Sequence, residues 1–336
     1  MKPSIKDVAK ACNVSITTVS LVLNDRPNRI SEDTKDLIRK TADSMNYRPN
    51  LISRSLVTKQ SGIIGLIVPN IKDSFYSDLT QDIINIMAFN MYTVLVGSTG
   101  MDPELEKSYI QRFIDYRVEA IIISKEFKSD DFEITEIIEI LEKSKIPYIF
   151  TDNLNYNTSY PHITVNQTLG GYLATKHLLD LGHKKIAFLS GCSKIILNKL
   201  RINGYKEALN EFKIEWDEEL IIEGNSTLIS ESNILNTLLE KGVTAVASSN
   251  DTLTYGVYKM AREMNLKIPK DISIVCFGNS KTHELVDPPL TCIAPPTKQI
   301  AKDIINILMN LINNSPEYVK FSYKPELIIR KSTTHI

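Results

Sequence analysis

The sequence lacks long hydrophobic runs and is poor in cysteine and tryptophan. No stretch approaches the roughly 18 consecutive apolar residues of a membrane-spanning helix, which excludes a transmembrane protein and a membrane partner. The polar N-terminus MKPSIKDVAKACNVS has no apolar signal-peptide core, so we expect a cytoplasmic protein. The four cysteines show no CxxC and no metal-type Cys/His spacing, and we expect reduced core residues: Cys12, Cys192, Cys276 and Cys292.

Sequence motifs of common enzymes are also missing. The chain contains no GxxxxGK[ST], no GxGxxG, no HExxH and no GxSxG. We therefore expect neither enzymatic activity nor a bound cofactor or metal. The 43% hydrophobic and 24% charged residues are ordinary globular proportions. At about 100–200 residues per domain, a chain of 336 residues predicts two or three domains.

Charge is distributed unevenly along the chain, although the total is only −1. Residues 1–60 carry 11 basic and 6 acidic side chains, a net charge of +5, and the remainder has a net charge of −6. A basic N-terminal module on an acidic body predicts a polyanionic partner for the small module alone.

The first sixty residues follow the pattern of three short helices. Each helix begins at a capping serine: Ser4 in an S-x-x-D capping box, Ser15, and Ser31 with Ile30 as a hydrophobic staple. Apolar residues at helical spacing then define an inward face, namely Ile5, Val8, Ala9, Cys12, Val19, Val22, Leu23, Leu37, Ile38, Ala42 and Met45. The outward face of the second helix has side chains that suit a DNA groove: Thr17, Ser20, Leu21 and Asn24. The pattern predicts a helix-turn-helix, with a three-helix bundle that binds nothing as the alternative.

The rest of the chain alternates apolar runs with helical patterns. The predicted strands cover residues 63–68, 92–96, 120–124, 147–151, 185–190, 245–248 and 272–277. Continuous apolar strands separated by helices predict parallel sheets covered on both faces, and their number favours two doubly wound subdomains. A ligand site is expected in a cleft outside the carboxyl ends of the strands.

Longer segments resemble the LacI/GalR (lactose-repressor) family of bacterial transcriptional regulators. The similarity is carried by IKDVAKACNVSITTVSLVLND, YRPNLISRSLVTKQSGIIGLIVPNI, KHLLDLGHKKIAFLSG, RINGYKEAL, SNDTLTYGVYKMAREMNLKIPKDISIVCFGNS and PPLTCI. These segments follow the order and spacing of the family over essentially the whole chain. The resemblance implies a small all-α helix-turn-helix headpiece and an α/β periplasmic-binding-protein-like core of two doubly wound parallel-sheet subdomains. It implies a regulator, most often a repressor, that binds palindromic operator DNA and responds to a small molecule in the core cleft.

The resemblance also sets expected domain boundaries. The headpiece covers residues 1–46, the hinge helix 47–60, and the effector-binding and dimerisation core 61–336. Within the core, subdomain N comprises 61–161 and 294–322, and subdomain C comprises 162–293 and 323–336. The chain ends in ELIIRKSTTHI, without the C-terminal heptad helix that makes the lactose repressor a tetramer, so we expect a homodimer.

The resemblance assigns DNA contacts by position. Ile16, Thr17 and Leu21 occupy base-contacting positions. Backbone-contacting positions fall on Ser15, Thr18, Asn24, Ser31, Tyr47 and Asn50. The hinge helix is expected at 50–58, where Ser53 replaces a common alanine and Leu56 matches the leucine that wedges into the minor groove. Leu21 replaces a frequent arginine or histidine, so the operator sequence is not transferable.

The effector site is assigned partly by strand ends and partly by resemblance. Phe75 and Tyr76 follow the first strand, and Asp73, Asp152, Arg201, Asn250 and Gly278 match or neighbour effector positions. Gly278 stands where relatives often have an aspartate, and Pro295 where they often have a glutamine. Because a cationic clamp and an aromatic ring remain, a phosphorylated or carboxylated sugar derivative is expected in preference to a neutral hexose. A phosphorylated carrier protein as the signal, and a cleft enzyme with an appended DNA-binding module, are the alternatives.

Overall fold

A computed structural model describes residues 3–24, 29–48, 60–127, 133–151, 160–224, 234–313 and 320–336. The chain divides into two compact units, Met1–Gly62 and Ile63–Ile336, each with its own hydrophobic core. In the described part of the chain, no helix has the length and apolarity needed to cross a bilayer.

The first unit contains the three helices that the sequence predicts: α1 (Ile5–Ala11), α2 (Ile16–Leu23) and α3 (Glu32–Ser44). At the start of α1, the Asp7 carboxylate accepts hydrogen bonds from the Ser4 amide (2.8 Å) and hydroxyl (2.7 Å). Ser15 and Ser31 cap α2 and α3 by accepting from backbone amides three residues later. The core of this unit consists of Val8, Ala9, Cys12, Val19, Val22, Ile38 and Ala42.

Leu37 does not belong to that core, so its predicted inward position is wrong. Its exposed fraction is 50%, whereas its neighbour Ile38 is completely buried. Adjacent helical residues point about 100° apart, and the narrow core of three short helices has room for one of the two.

The second unit contains two six-stranded sheets. The first has the order β11-β5-β4-β3-β1-β2, and all of its neighbouring strands are parallel. Its strands are β1 (Ile63–Val68), β2 (Thr93–Ser98), β3 (Ala120–Ser124), β4 (Tyr148–Thr151), β5 (His162–Val165) and β11 (Lys320–Tyr323).

The second sheet has the order β12-β10-β9-β8-β6-β7 and is parallel except for its edge strand β12, which runs antiparallel to β10. Its strands are β6 (Ile186–Ser190), β7 (Ile221–Glu223), β8 (Ala245–Ser248), β9 (Ser273–Phe277), β10 (Thr291–Ala294) and β12 (Glu326–Ile328). All seven predicted strands are present. Strands β5, β7, β10, β11 and β12, of three or four residues each, were not predicted.

Helices cover both sheets in doubly wound fashion. They are α4 (Ser74–Phe89), α5 (Pro103–Asp115), α6 (Glu133–Ser144), α7 (Gln167–Asp180), α8 (Ile196–Glu211), α9 (Ile234–Glu240), α10 (Asp251–Glu263), α11 (Thr282–Leu285) and α12 (Thr297–Ile312). A short 3-10 turn, Glu218–Leu220, precedes β7. Helix α12 returns to the first sheet, where Ile300, Ile304 and Leu308 join its core.

The chain passes between the two sheets three times, after β5, after β10 and after β11. The expected subdomain boundary at 161/162 falls too early, because His162–Val165 pairs with both β4 and β11 in the first sheet. The expected boundary at 322/323 likewise falls too early, since Tyr323 pairs with Val165. The first and third passages are joined where the Asn166 amide donates to the Tyr323 carbonyl over 2.8 Å.

Three of the four cysteines are buried, as predicted, and none forms a disulfide. Cys192 is exposed, which corrects the prediction that it is a core residue. It follows β6 at the carboxyl end of the second sheet, where the chain has left the apolar interior and lines a cleft.

Candidate functional site

Several candidate DNA-contacting residues in the described part of the headpiece lie at the N-terminus of α2. Ser15, Ile16 and Thr17 are exposed at the start of α2, and Ile16 exposes 44% of its surface. The Thr18 hydroxyl lies 2.8 Å from that of Ser15. Leu21 follows Thr17 one turn along the helix and is half-buried. Exposed hydroxyls and free amides at a helix start suit phosphate oxygens.

The remaining headpiece candidates have structural partners as well. The Asn24 side chain donates to the Ser20 carbonyl over 2.8 Å and closes the end of α2. Ser31 is exposed at the N-cap of α3. Tyr47 packs against the headpiece core, and burial raises the pKa of its phenol. Asn50, Ser53, Leu56 and most of the expected hinge helix lie outside the described residues.

A cleft of about 600 Å³ lies at the carboxyl ends of the strands in the second unit. Both sheets contribute to it, as expected for an open α/β fold with ligand binding at strand ends. Six of the seven predicted effector residues line it, namely Asp73, Phe75, Tyr76, Arg201, Asn250 and Gly278. The seventh, Asp152, lies outside the described residues. Pro295, where relatives often have a glutamine, also lines the cleft.

Arg201 is fixed by contacts on several sides. Its Nε donates to Gln167 Oε1 over 2.8 Å, and a terminal nitrogen donates to the Ser249 carbonyl. Its guanidinium lies over the Phe277 ring, 3.6 Å from the centroid, in a cation–π contact. The arginine therefore enters the cleft with part of its hydrogen-bonding capacity already used by the protein.

Two glycines hold the helix of Arg201 against its neighbour. A Cβ on Gly171 of α7 would lie 2.0 Å from the Arg201 carbonyl oxygen. A Cβ on Gly204 of α8 would lie 1.9 Å from the Thr168 carbonyl oxygen. Because these neighbours are backbone atoms, only glycine permits this approach of α7 and α8, which places Arg201 at the cleft.

The first sheet supplies an acidic and aromatic wall. Asp73 caps α4 by accepting from the Phe75 amide over 3.0 Å, and its pKa is raised by burial and by the charge of Asp251. The Tyr76 hydroxyl donates to Glu126 over 3.3 Å. The rings of Phe75 and Tyr76 meet edge to face with centroids 5.2 Å apart.

The second sheet supplies a polar wall. Asn250 caps α10 by accepting from the Leu253 amide over 2.9 Å, and Asp251 follows as the first residue of that helix. Gly278 has φ = +113°, a conformation that strains any residue with a Cβ. An aspartate, like other residues with a Cβ, would therefore not fit this backbone without rearrangement.

Cleft charge is the feature that sequence analysis missed. Of the described residues that line the cleft, four carry carboxylates (Asp73, Glu126, Glu223 and Asp251) and one, Arg201, carries a cation. This balance favours an uncharged or cationic ligand over the anionic sugar derivative expected from Arg201 alone. The strand-end rule that selected Asn250 also applies to Glu126, which follows the predicted strand 120–124 by two residues. Gln167 and Glu223 carry no such local signal.

Comparison with known proteins follows the division of the chain. Residues 4–50 match the model of bacterial regulatory proteins of the lacI family. Residues 175–333 match a periplasmic binding protein-like domain. The HTH-type transcriptional repressor PurR of Vibrio atlanticus (strain LGP32) is 34% identical over 335 residues, which cover 98% of each chain. The chain belongs to the lacI family.

Two further similarities extend over most of the chain or all but a few residues of it. Catabolite control protein A of Priestia megaterium is 29% identical and is covered over 93% of each chain. The crystal structure of the lac repressor dimer bound to operator and the anti-inducer ONPF superposes with a TM-score of 0.85 at 24% identity, covering 99% of this chain and 100% of that one. The predicted fold, headpiece plus two-sheet core, is confirmed. As a lacI-family protein, the chain is a DNA-binding regulator of transcription.

Proposed function

We propose that this lacI-family regulator is a repressor that binds a palindromic operator as a homodimer. The observation that carries the proposal is the exposed start of α2, where Ser15, Ile16 and Thr17 are available to a groove. Each α2 contacts one half-site, so the two-fold symmetry of the protein matches that of the DNA. Salt is expected to weaken DNA binding steeply. The logarithm of the binding constant should fall with the logarithm of the salt concentration, with a slope near −0.9 for each phosphate neutralised.

Leu56 is proposed to wedge into the central minor-groove step of the operator. The proposal is supported by the segment NLISRSLV, which keeps the register of the family. An inserted apolar side chain unstacks a base step and bends the duplex, and the bend extends the contact surface. Leu56→Ala should therefore weaken operator binding more than binding to random DNA. Equal losses on both DNAs in fluorescence anisotropy count against the wedge.

Leu21→Arg should instead alter base preference in each half-site.

The core cleft is proposed to bind a small-molecule effector, a sugar or sugar derivative, that controls operator affinity. The cleft is lined from both sheets, so a ligand between them changes their closure and shifts a two-state equilibrium of the regulator. Phe75 offers a ring to stack on a sugar, and Arg201 offers hydrogen-bond donors.

The effector role is tested with the full chain on its operator. Candidate sugars are titrated while operator binding and heat of binding are both recorded. Arg201→Ala should weaken both the heat of binding and the effect on operator affinity. Asn203→Ala, an exposed residue on the same helix, is the matched control. A sugar that binds but leaves operator affinity unchanged contradicts the regulatory role.

A phosphorylated carrier protein is the second candidate signal. The similarity to catabolite control protein A over 93% of each chain favours it. If this is the signal, a phosphorylated carrier protein changes operator affinity while sugars added alone do not.

A further inference from the structure

Two carboxylates belonging to different sheets line the same part of the cleft. Asp73 caps α4 above the first sheet, and Asp251 begins α10 above the second. The two walls are close here, because a Cβ built on Gly278 of the second sheet would lie 3.5 Å from Ser74 Oγ of the first. The pKa of Asp73 is raised by burial and by Asp251, and the hydrogen bond from the Phe75 amide does not offset this.

The charge of Arg201 lowers the pKa of Asp73 but does not outweigh burial and the charge of Asp251. In the described ranges, no lysine or arginine nitrogen lies within ion-pair distance, 4.0 Å, of either carboxylate. The Asp251 side chain is only 7% exposed. Buried carboxylates are normally paired or hydrogen-bonded, so a largely buried Asp251 at the cleft favours a ligand that carries a cation or hydrogen-bond donors.

A buried histidine beside Asp251 has no hydrogen-bond partner among the described residues. His283 is completely buried, and neither of its ring nitrogens has a hydrogen-bond partner. Its Nε2 lies 4.0 Å from Asp251 Oδ2, too far for a hydrogen bond. Burial lowers the pKa of His283 although the charge of Asp251 raises it, so the environment disfavours a charged ring beside Asp251.

The missing side chain at residue 278 leaves room at this point. A Cβ on Gly278 would meet only Ser74 Oγ at 3.5 Å and His283 Cε1 at 3.9 Å, which are ordinary van der Waals distances. The space at Gly278 lies beside Ser74 and His283, in a cleft whose lining also includes Asp73 and Asp251. The cation among the described lining residues, Arg201, is held by Gln167, Ser249 and Phe277.

We propose that the effector of this chain carries a cationic nitrogen, a protonated amine or amidine, that binds between the carboxylates of Asp73 and Asp251. This inference rests on the proposed function of the cleft as an effector site. Charge-assisted hydrogen bonds to both carboxylates would join the two walls and favour the closed cleft. An anionic ligand would instead add negative charge to a cleft whose described lining already has four carboxylates and one guanidinium.

The test uses matched sugars on the full-length protein. Glucose, galactose and mannose, their 2-amino-2-deoxy derivatives and their 6-phosphates are compared by thermal unfolding at about 10 mM, since a ligand stabilises by RT ln(1 + [L]/Kd). We expect stabilisation by an amino sugar and less or none by its neutral and phosphorylated counterparts. Asp251→Asn should weaken that binding at least tenfold, about 1.4 kcal/mol.

Two further variants keep the test decisive. Asp73→Asn retains an N-cap acceptor for α4 and should also weaken amino-sugar binding, which covers the case in which Asp251→Asn does not fold. Glu263→Gln removes one exposed negative charge from α10, away from the cleft, and should leave binding unchanged.

The outcomes separate this inference from the function on which it rests. No stabilisation by any amino sugar, equal stabilisation by a neutral or phosphorylated sugar, or amino-sugar binding that survives both Asp→Asn variants overturns the cationic site. If a neutral or phosphorylated sugar binds instead and changes operator affinity, the cationic site is contradicted but the proposed effector function of the cleft stands. A response to a phosphorylated carrier protein alone contradicts both.

Discussion

The headpiece and the cleft differ in how their candidate residues are brought together. In the headpiece, Ile16, Thr17 and Leu21 lie on one helix of eight residues, so local sequence alone determines their relative positions. In the cleft, the lining extends from Asn70 to Pro295 and combines the ends of strands in two sheets. A local site is therefore sensitive to the stability of one small unit, whereas the cleft is sensitive to the packing of helices and strands far apart in sequence.

The largest expected effect is in the headpiece core. Ile38→Ala should lower the free energy of unfolding of the headpiece by about 2–5 kcal/mol, because it leaves a cavity at a fully buried position. A unit this small has little stability in reserve, so the headpiece should unfold and operator binding should be lost. Effector binding and the thermal transition of the second unit should persist.

The adjacent Leu37 provides the control for this prediction. With half of its surface exposed, Leu37→Ala should change stability by no more than about 0.5 kcal/mol. Circular dichroism with operator titration measures both quantities. A common loss of both thermal transitions in Ile38→Ala would show that the units do not fold independently.

A smaller loss is expected where α7 and α8 meet. Gly204→Ala places a Cβ against the Thr168 carbonyl and should cost about 1–3 kcal/mol. It should also weaken effector binding, since the contact positions the helix that carries Arg201. Urea unfolding of the second unit provides the measurement. Asn203→Ala on the exposed side of α8 is the control, and equal midpoints for the two variants would contradict the prediction.

The N-cap of α2, Ser15, should contribute about 1 kcal/mol to the free energy of unfolding of the headpiece. Ser15→Ala removes the acceptor of the Thr18 amide and the hydroxyl proposed to contact phosphate. Headpiece stability and operator affinity should both fall. Thr17→Ala, one of the exposed residues proposed to contact bases, should lower operator affinity without lowering stability. A loss of affinity without a loss of stability in Ser15→Ala would mean that the cap is dispensable.

The smallest expected effect concerns pH and Asp73. Because the folded state raises the pKa of this carboxyl above its usual 3.8, folding favours the protonated form, and stability falls as pH rises through the folded-state value. Asp73→Asn avoids this loss, so the variant should be more stable than the parent at pH 7. That advantage should disappear as pH is lowered toward 3.8.

Asp102 offers a matched comparison, because it caps α5 in the same way but is exposed. At pH 7, the gain in melting temperature of Asp73→Asn should exceed that of Asp102→Asn. A pH-independent difference for Asp73→Asn would contradict the assignment of the effect to the cleft charges.

Sequence alone predicted the elements whose signals are local. Ser4, Ser15 and Ser31 marked three helix starts, and continuous apolar runs marked seven strands, because caps and burial act over a few residues. Strands such as His162–Val165 and Glu326–Ile328 escaped, since they are short, partly polar and stabilised by partners far along the chain. Leu37 was misplaced because periodicity gives a direction but not the width of the core.

The cleft was predicted in part for the same reason. Phe75, Tyr76 and Asn250 follow strands, so the rule that ligands bind at carboxyl strand ends located them. The charge of the cleft was not predicted, because it depends on which strand ends face each other. Gln167 and Ser249 limit the donors that Arg201 can offer, and these contacts depend on how α8 packs against α7 and the end of β8.

The triple passage between the sheets has a mechanical consequence. A single connecting segment would let the two sheets rotate about several axes and move apart. The connectors after β5 and β11 are hydrogen-bonded to each other, and a third follows β10, so the sheets are joined at more than one point. We expect this linkage to restrict the relative motion of the two sheets more than a single connector would, so that a ligand in the cleft acts on fewer modes of motion.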